Sequence, residues 1–106
     1  VEVRAFDGPR GRVDIRDVIS LLGERRCLSA IIEAGSKVNW AALECGVVDK
    51  IFFYYAPKIL GGTESLSMAG GVGRRRRADA IRVHRTELHR IAPDEFAVEG
   101  YVVKEA

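Results

Sequence analysis

A chain of 106 residues accommodates one domain, and its 47% hydrophobic and 30% charged content is that of an ordinary globular protein. A formal net charge of +2 is too weak to select nucleic acid or an anionic membrane as partner, and no apolar run is long enough to span a bilayer. Cys27 and Cys45 lack C-x-x-C spacing and each falls in an apolar pattern, so the sequence predicts buried free thiols in a reducing, cytoplasmic setting.

In chain order, Val1 to Phe6 alternates apolar and charged side chains and predicts a short strand, without the shape of a signal peptide. A turn cluster, Asp7 to Gly11, follows. Asp14 is placed to cap the next helix, with Asp17 at the third helical position as an imperfect capping box. Ile15, Val18, Ile19 and Leu22 form one apolar stripe, so an amphipathic helix runs from 14 to about 26, with Gly23 weakening its last turn.

Leu28 to Ile32 is a β-branched apolar run bounded by polar residues and predicts a buried strand ending at Glu33. Gly35 breaks it. Ser36 then stands as N-cap of a helix carrying Val38, Ala41, Ala42 and Cys45 on helical spacing, with Gly46 as its stop. A glycine before a helix start lets a ligand approach the backbone, and the free N–H groups of the first turn attract anions. Lys37 adds positive charge where a helix seeking only stability would carry an acid. Most strand–turn–helix units bind nothing, so this turn is a candidate phosphate site and no more.

Ile51 to Tyr55 is the strongest strand signal and is apolar on both faces, which predicts a position interior to a sheet. Pro57 and the Gly61-Gly62 pair open a loop to about Gly73, read as the least constrained part of the chain. The Arg74–Arg77 run has no interleaved aromatics and reads as a solvated face rather than a nucleic-acid site. Two strands close the chain, 81–91 and 95–104, joined by a turn at Ala92, Pro93 and Asp94 and therefore antiparallel. Apolar residues sit at odd positions Ile81 and Val83 but then at Leu88, and that phase change predicts a bulge. His84 and His89 would point to opposite faces of an unbroken strand, which argues against a metal pair. No catalytic triad or metal set is readable.

Several short motifs occur together at family-like separations: Ile32-Glu-Ala-Gly-Ser36, Gly46-Val-Val-Asp49, Tyr55-Ala-Pro-Lys-Ile-Leu-Gly-Gly62 and Ala78-Asp-Ala80, with Gly11-Arg-Val-Asp-Ile15 before them and Asp94 and Gly100-Tyr101 after. In this the chain resembles the C-terminal reductase domain of the bifunctional riboflavin-biosynthesis deaminase–reductase and its stand-alone relatives, over nearly its whole length. The resemblance implies an α/β, dihydrofolate-reductase-like mixed sheet with flanking helices. It also implies NADPH as cofactor and a phosphoribosylaminopyrimidine as substrate, whose ribose is reduced to the ribityl chain. Carried over residue by residue, Glu33 matches the acid that contacts the substrate ribose. Gly35, Ser36, Lys37, Val38, Asn39, Trp40 and Ala41 match the NADP-contacting loop and helix start. Ser36 replaces a proline common in the family, and Trp40 replaces a small residue, so its ring would narrow the cofactor groove.

The family's domain is about twice this length, so residues 1–106 are expected to form the C-terminal half of a single reductase domain, incomplete on its N-terminal side. A homodimer is the expected assembly. No catalytic residue is assignable within this half. Two alternatives stay open: a truncated, non-catalytic nucleotide-binding or oligomerisation module, and a related reductase with a different small substrate.

Overall fold

A computed structural model describes residues 1–104. Two helices precede a three-stranded sheet. Helix α1 spans Ile15–Glu24, helix α2 Ser36–Glu44, and strands β1, β2 and β3 span Lys50–Tyr55, Val83–Ala92 and Glu95–Val102. Asp14 caps α1 as expected, its Oδ1 accepting from the Arg16 N–H at 2.9 Å. The recorded side-chain partner of Asp14 is Arg16, whose guanidinium also donates to it, so the cap is tied locally rather than through a capping box with Asp17. Arg16 holds the Asp14 carboxyl below its ordinary pKa, chiefly through those side-chain hydrogen bonds.

Both helices end in the same way. Arg26 (φ +61°) and Gly46 (φ +79°) turn left-handed after α1 and α2. The following N–H groups then reach back, Cys27 to Leu22 at 3.0 Å and Val47 to Ala42 at 3.4 Å, as in a Schellman motif. Gly46 does this without a Cβ penalty, while Arg26 accepts one.

The sheet order is β1-β3-β2 and both pairings are antiparallel. The expected hairpin and bulge are both present. The register slips between His84 and Glu87, where Arg85 adopts φ +49°. Gly100 lies opposite this slip, and a Cβ there would come within 2.4 Å of Val83 Cγ1 and 3.1 Å of Thr86 Cγ2. A side chain at position 100 would therefore collide with the strand that the bulge folds over it.

Several expectations are overturned. β1 lies at an edge of the described sheet rather than inside it, with β3 in the centre, and Tyr54 is 72% exposed. Residues 1–6 form no strand; the Glu2 carboxylate instead pairs with the Arg25 guanidinium beyond the end of α1. The run 28–33 forms no strand either, and Leu28 and Ile31 are exposed. A strand exists only through ladder hydrogen bonds, and this segment finds no ladder partner among the described residues. The described sheet is consequently antiparallel rather than mixed. Cys27, at the head of that uncovered segment, is exposed, while Cys45 is half-buried with its thiol directed at the Ala42 carbonyl; both are free.

The buried apolar set is small: Ala42, Ile51, Ala97 and Val102. The accessible surface of 9347 Å² exceeds the roughly 5,900 Å² of a compact chain of this mass. The radius of gyration, 15.9 Å, likewise exceeds the ~13 Å of a compact domain of this size.

Candidate functional site

Helix α2 begins one residue earlier than an N-cap at Ser36 would place it. Gly35 is the N-cap, extended at φ −79° and ψ 177°, and Ser36 is the first helical residue. The Gly35 carbonyl accepts the first intrahelical bond, from Asn39 N–H at 3.0 Å. Gly35 has no side chain, so no cap bond satisfies the N–H groups of the first turn, and Lys37 is exposed beside them. A Cβ built on Gly35 would meet nothing within 4 Å, so this approach to the backbone is open. Glu33 and Ala34 lead into it, both exposed.

The loop after β1, read as the least constrained part of the chain, is in part fastened to this helix. Gly70 N–H donates to the Ser36 carbonyl at 3.0 Å, and Asn39 Nδ2 donates to the Met68 carbonyl at 2.9 Å. The Ser36 hydroxyl lies 3.3 Å from that of Ser67. Gly71 (φ +91°) passes so close to Trp40 that a Cβ would come within 2.7 Å of the ring. Arg74 covers the other end of the contact, its guanidinium 5.2 Å from the Trp40 ring centroid and 3.4 Å from the Glu44 carboxylate.

The bulky Trp40 is thus a platform for residues 71–74. Trp40 Nε1 is covered and has no hydrogen-bond partner among the described residues. The Arg74–Arg77 run divides its work, with Arg74 on α2 and Arg76 paired to Asp79 at 2.8 Å.

The structure therefore brings Gly35, Ser36, Lys37, Asn39 and Trp40 to the exposed start of one helix and adds Ser67, Met68, Gly70, Gly71 and Arg74 to it. The sequence marks this second group only through the Gly70-Gly71 pair, a sign of close backbone approach that does not say to what. Val38 is exposed on the same first turn. Ala41, one turn further on, also lines a cleft of about 300 Å³ between the start of α1 and the second half of α2, together with Asp14, Arg16 and Glu44. None of residues 33 and 35–40 lines that cleft. What the helix start offers chemically is anion binding through unfilled backbone donors and one ammonium.

A family model described as the RibD C-terminal domain matches residues 1–95. The chain belongs to that family. It is 33% identical over 94 residues to the riboflavin biosynthesis protein RibD of Actinobacillus pleuropneumoniae, covering 89% of this chain and 25% of that protein. It is also 30% identical over 92 residues to the RibD protein of Bacillus amyloliquefaciens, covering 87% and 25%. A 2,5-diamino-6-ribosylamino-4(3H)-pyrimidinone 5′-phosphate reductase of Methanothermobacter thermautotrophicus is 30% identical over 92 residues, with 84% of this chain and 43% of that enzyme covered. The chain thus spans about a quarter of the length of the RibD proteins it matches. As a RibD C-terminal domain chain it is a small α/β structure of two helices and a three-stranded antiparallel sheet. No helix among the described residues is long and apolar enough to cross a membrane.

Proposed function

We propose that this RibD-type chain is the C-terminal half of a reductase domain that uses NADPH to reduce a phosphoribosylaminopyrimidine. The reaction would convert 5-amino-6-(5-phosphoribosylamino)uracil to its ribitylamino form, in riboflavin biosynthesis. The observation that carries this reading is the open helix start at Gly35, in a chain whose relatives include a ribosylaminopyrimidine phosphate reductase. The uncapped donors, the absent Cβ and Lys37 fit a dinucleotide phosphate in chemistry.

In this reading Gly35, Ser36, Lys37 and Val38 hold the cofactor phosphates through backbone N–H groups and one ammonium. Asn39, Trp40 and Ala41 continue the wall along α2. Asn39 and Trp40 are themselves braced by Met68, Gly71 and Arg74. Glu33, at the lip of the same turn, orients the substrate ribose by accepting from its hydroxyls. NADPH, when bound, supplies the hydride; the residues of this half bind and position. The large accessible surface and the unpaired 28–33 run support further structure covering this half. We extend the reading to a homodimer of the intact protein.

Two substitutions in the intact protein test the assignment. Gly35→Val should weaken NADPH binding in a fluorescence titration, while Glu33→Gln should leave that affinity intact and lower turnover or substrate affinity. Equal NADPH affinity in wild type and Gly35→Val would remove this turn from the cofactor site.

A further inference from the structure

We propose that Glu87, His89 and Glu99 form a binding site for a divalent transition-metal cation of the zinc type on the face of the β2–β3 hairpin that also carries the Phe52 ring. The placement follows from strand geometry. Glu87 and His89 are two residues apart on β2 and so share a face, and the register sets Glu99 of β3 directly opposite Glu87. One ligand atom from each of the three lies within 4.8 Å of the others. His89 Nε2 is 3.7 Å from Glu87 Oε2 and 3.6 Å from Glu99 Oε2.

Those distances are too long for hydrogen bonds. They are close to the roughly 3.3–3.6 Å that separates donors sharing a tetrahedral cation at about 2.0–2.2 Å. Glu87 is largely exposed, so small torsional changes suffice to close the remaining gap. His89 Nε2 is covered, yet has no hydrogen-bond partner among the described residues. Its ring is held by Phe52, stacked at 5.7 Å with an interplanar angle of 15°. A nitrogen fixed between two carboxylates, with a hydrogen bond to neither, is placed to act as a ligand atom.

Charge points the same way. Two glutamates directly opposed across a ladder repel. Lys50, 3.2 Å from Glu99 Oε2, offsets one of them, and Arg85 lies over the Tyr101 ring rather than on either carboxylate. The earlier exclusion of a histidine pair does not apply, because one imidazole and two carboxylates make up the set. His84 lies opposite Tyr101 and outside it. The site is built from the hairpin and Phe52 alone, and does not depend on the reductase assignment.

The test is a cobalt titration of the metal-stripped intact protein, read by visible d–d absorption and reversed with zinc. The expected result is one more saturable equivalent in wild type than in His89→Gln or Glu99→Gln, with His84→Gln matching wild type. Circular dichroism verifies that the variants keep their fold, and Glu99→Gln, being isosteric, guards against a His89 variant that does not. No saturable equivalent up to millimolar cobalt would overturn the proposal. So would an equivalent that survives both substitutions, or a wild-type cluster whose only response is to protonation.

Discussion

Replacing Gly71 with alanine should lift the 67–74 loop from helix α2. A left-handed alanine costs about 1–2 kcal/mol, and an added Cβ 2.7 Å from Trp40 Cδ1 must displace the ring or the loop. Overpacking of that kind costs roughly 1–3 kcal/mol, so the combined penalty is about 2–5 kcal/mol. Against it stand the Gly70–Ser36 and Asn39–Met68 hydrogen bonds and the Arg74 guanidinium over Trp40. At about 0.5–1.5 kcal/mol per hydrogen bond and ~0.5–1 kcal/mol for an exposed cation–π contact, docking is worth roughly 1.5–4 kcal/mol. The penalty matches the docking energy in range and is centred above it, so a large fraction of the loop should detach while the rest of the fold holds.

Gly73→Ala is the control, since position 73 is also left-handed at φ +66° but its Cβ would meet nothing within 4 Å. Trp40 is the one tryptophan of this chain, so its emission, isolated against a Trp40→Phe background, reports the event. Limited proteolysis within residues 62–73 reports it independently. A Gly71→Ala protein with wild-type emission and wild-type cleavage would refute the reasoning, as would Gly73→Ala producing the same change.

Gly100→Ala should destabilise the hairpin by about 1–3 kcal/mol in denaturant titrations, because Val83, Thr86 and the His84 carbonyl already occupy the space a Cβ needs. Asp14→Ala should lower the melting temperature by removing the cap of α1, and Asp14→Asn, which keeps an acceptor, should recover most of it. The Asp14 and Glu2 carboxyls are held below their ordinary values of 3.8 and 4.5 by Arg16 and Arg25. Their contribution is therefore fully present above those values and is lost as pH falls through the lowered ones, so acid melting curves of Asp14→Asn and Glu2→Gln should flatten in that window. Light scattering of the intact protein at micromolar concentration should give the mass of a homodimer, and its crystal structure an interface above roughly 1,000 Å².

The features legible in the sequence are those whose physics is local. Asp14 caps α1 because its carboxylate reaches an N–H two residues away, and Gly46 ends α2 because only a left-handed residue closes that turn. The bulge could be read because side chains alternate strictly along a strand, so a phase change from Val83 to Leu88 requires an extra residue somewhere between them. The helix start at the candidate site was legible to within one residue, because a glycine followed by helical spacing is again a local signal.

Partners were not legible, since one-dimensional patterns record that a surface wants burial and not what buries it. The run 28–33 reads as a strand but has no ladder among the described residues, and Ile51–Tyr55 reads as interior but stands at an edge of the described sheet, because ladder partners are not neighbours in sequence. The docking of Gly71 and Arg74 on Trp40, across about thirty residues, and the convergence of Glu87, His89 and Glu99 across two strands were decided by the tertiary structure alone. Loop closure and strand register set those distances, and neither leaves a periodic mark on the sequence.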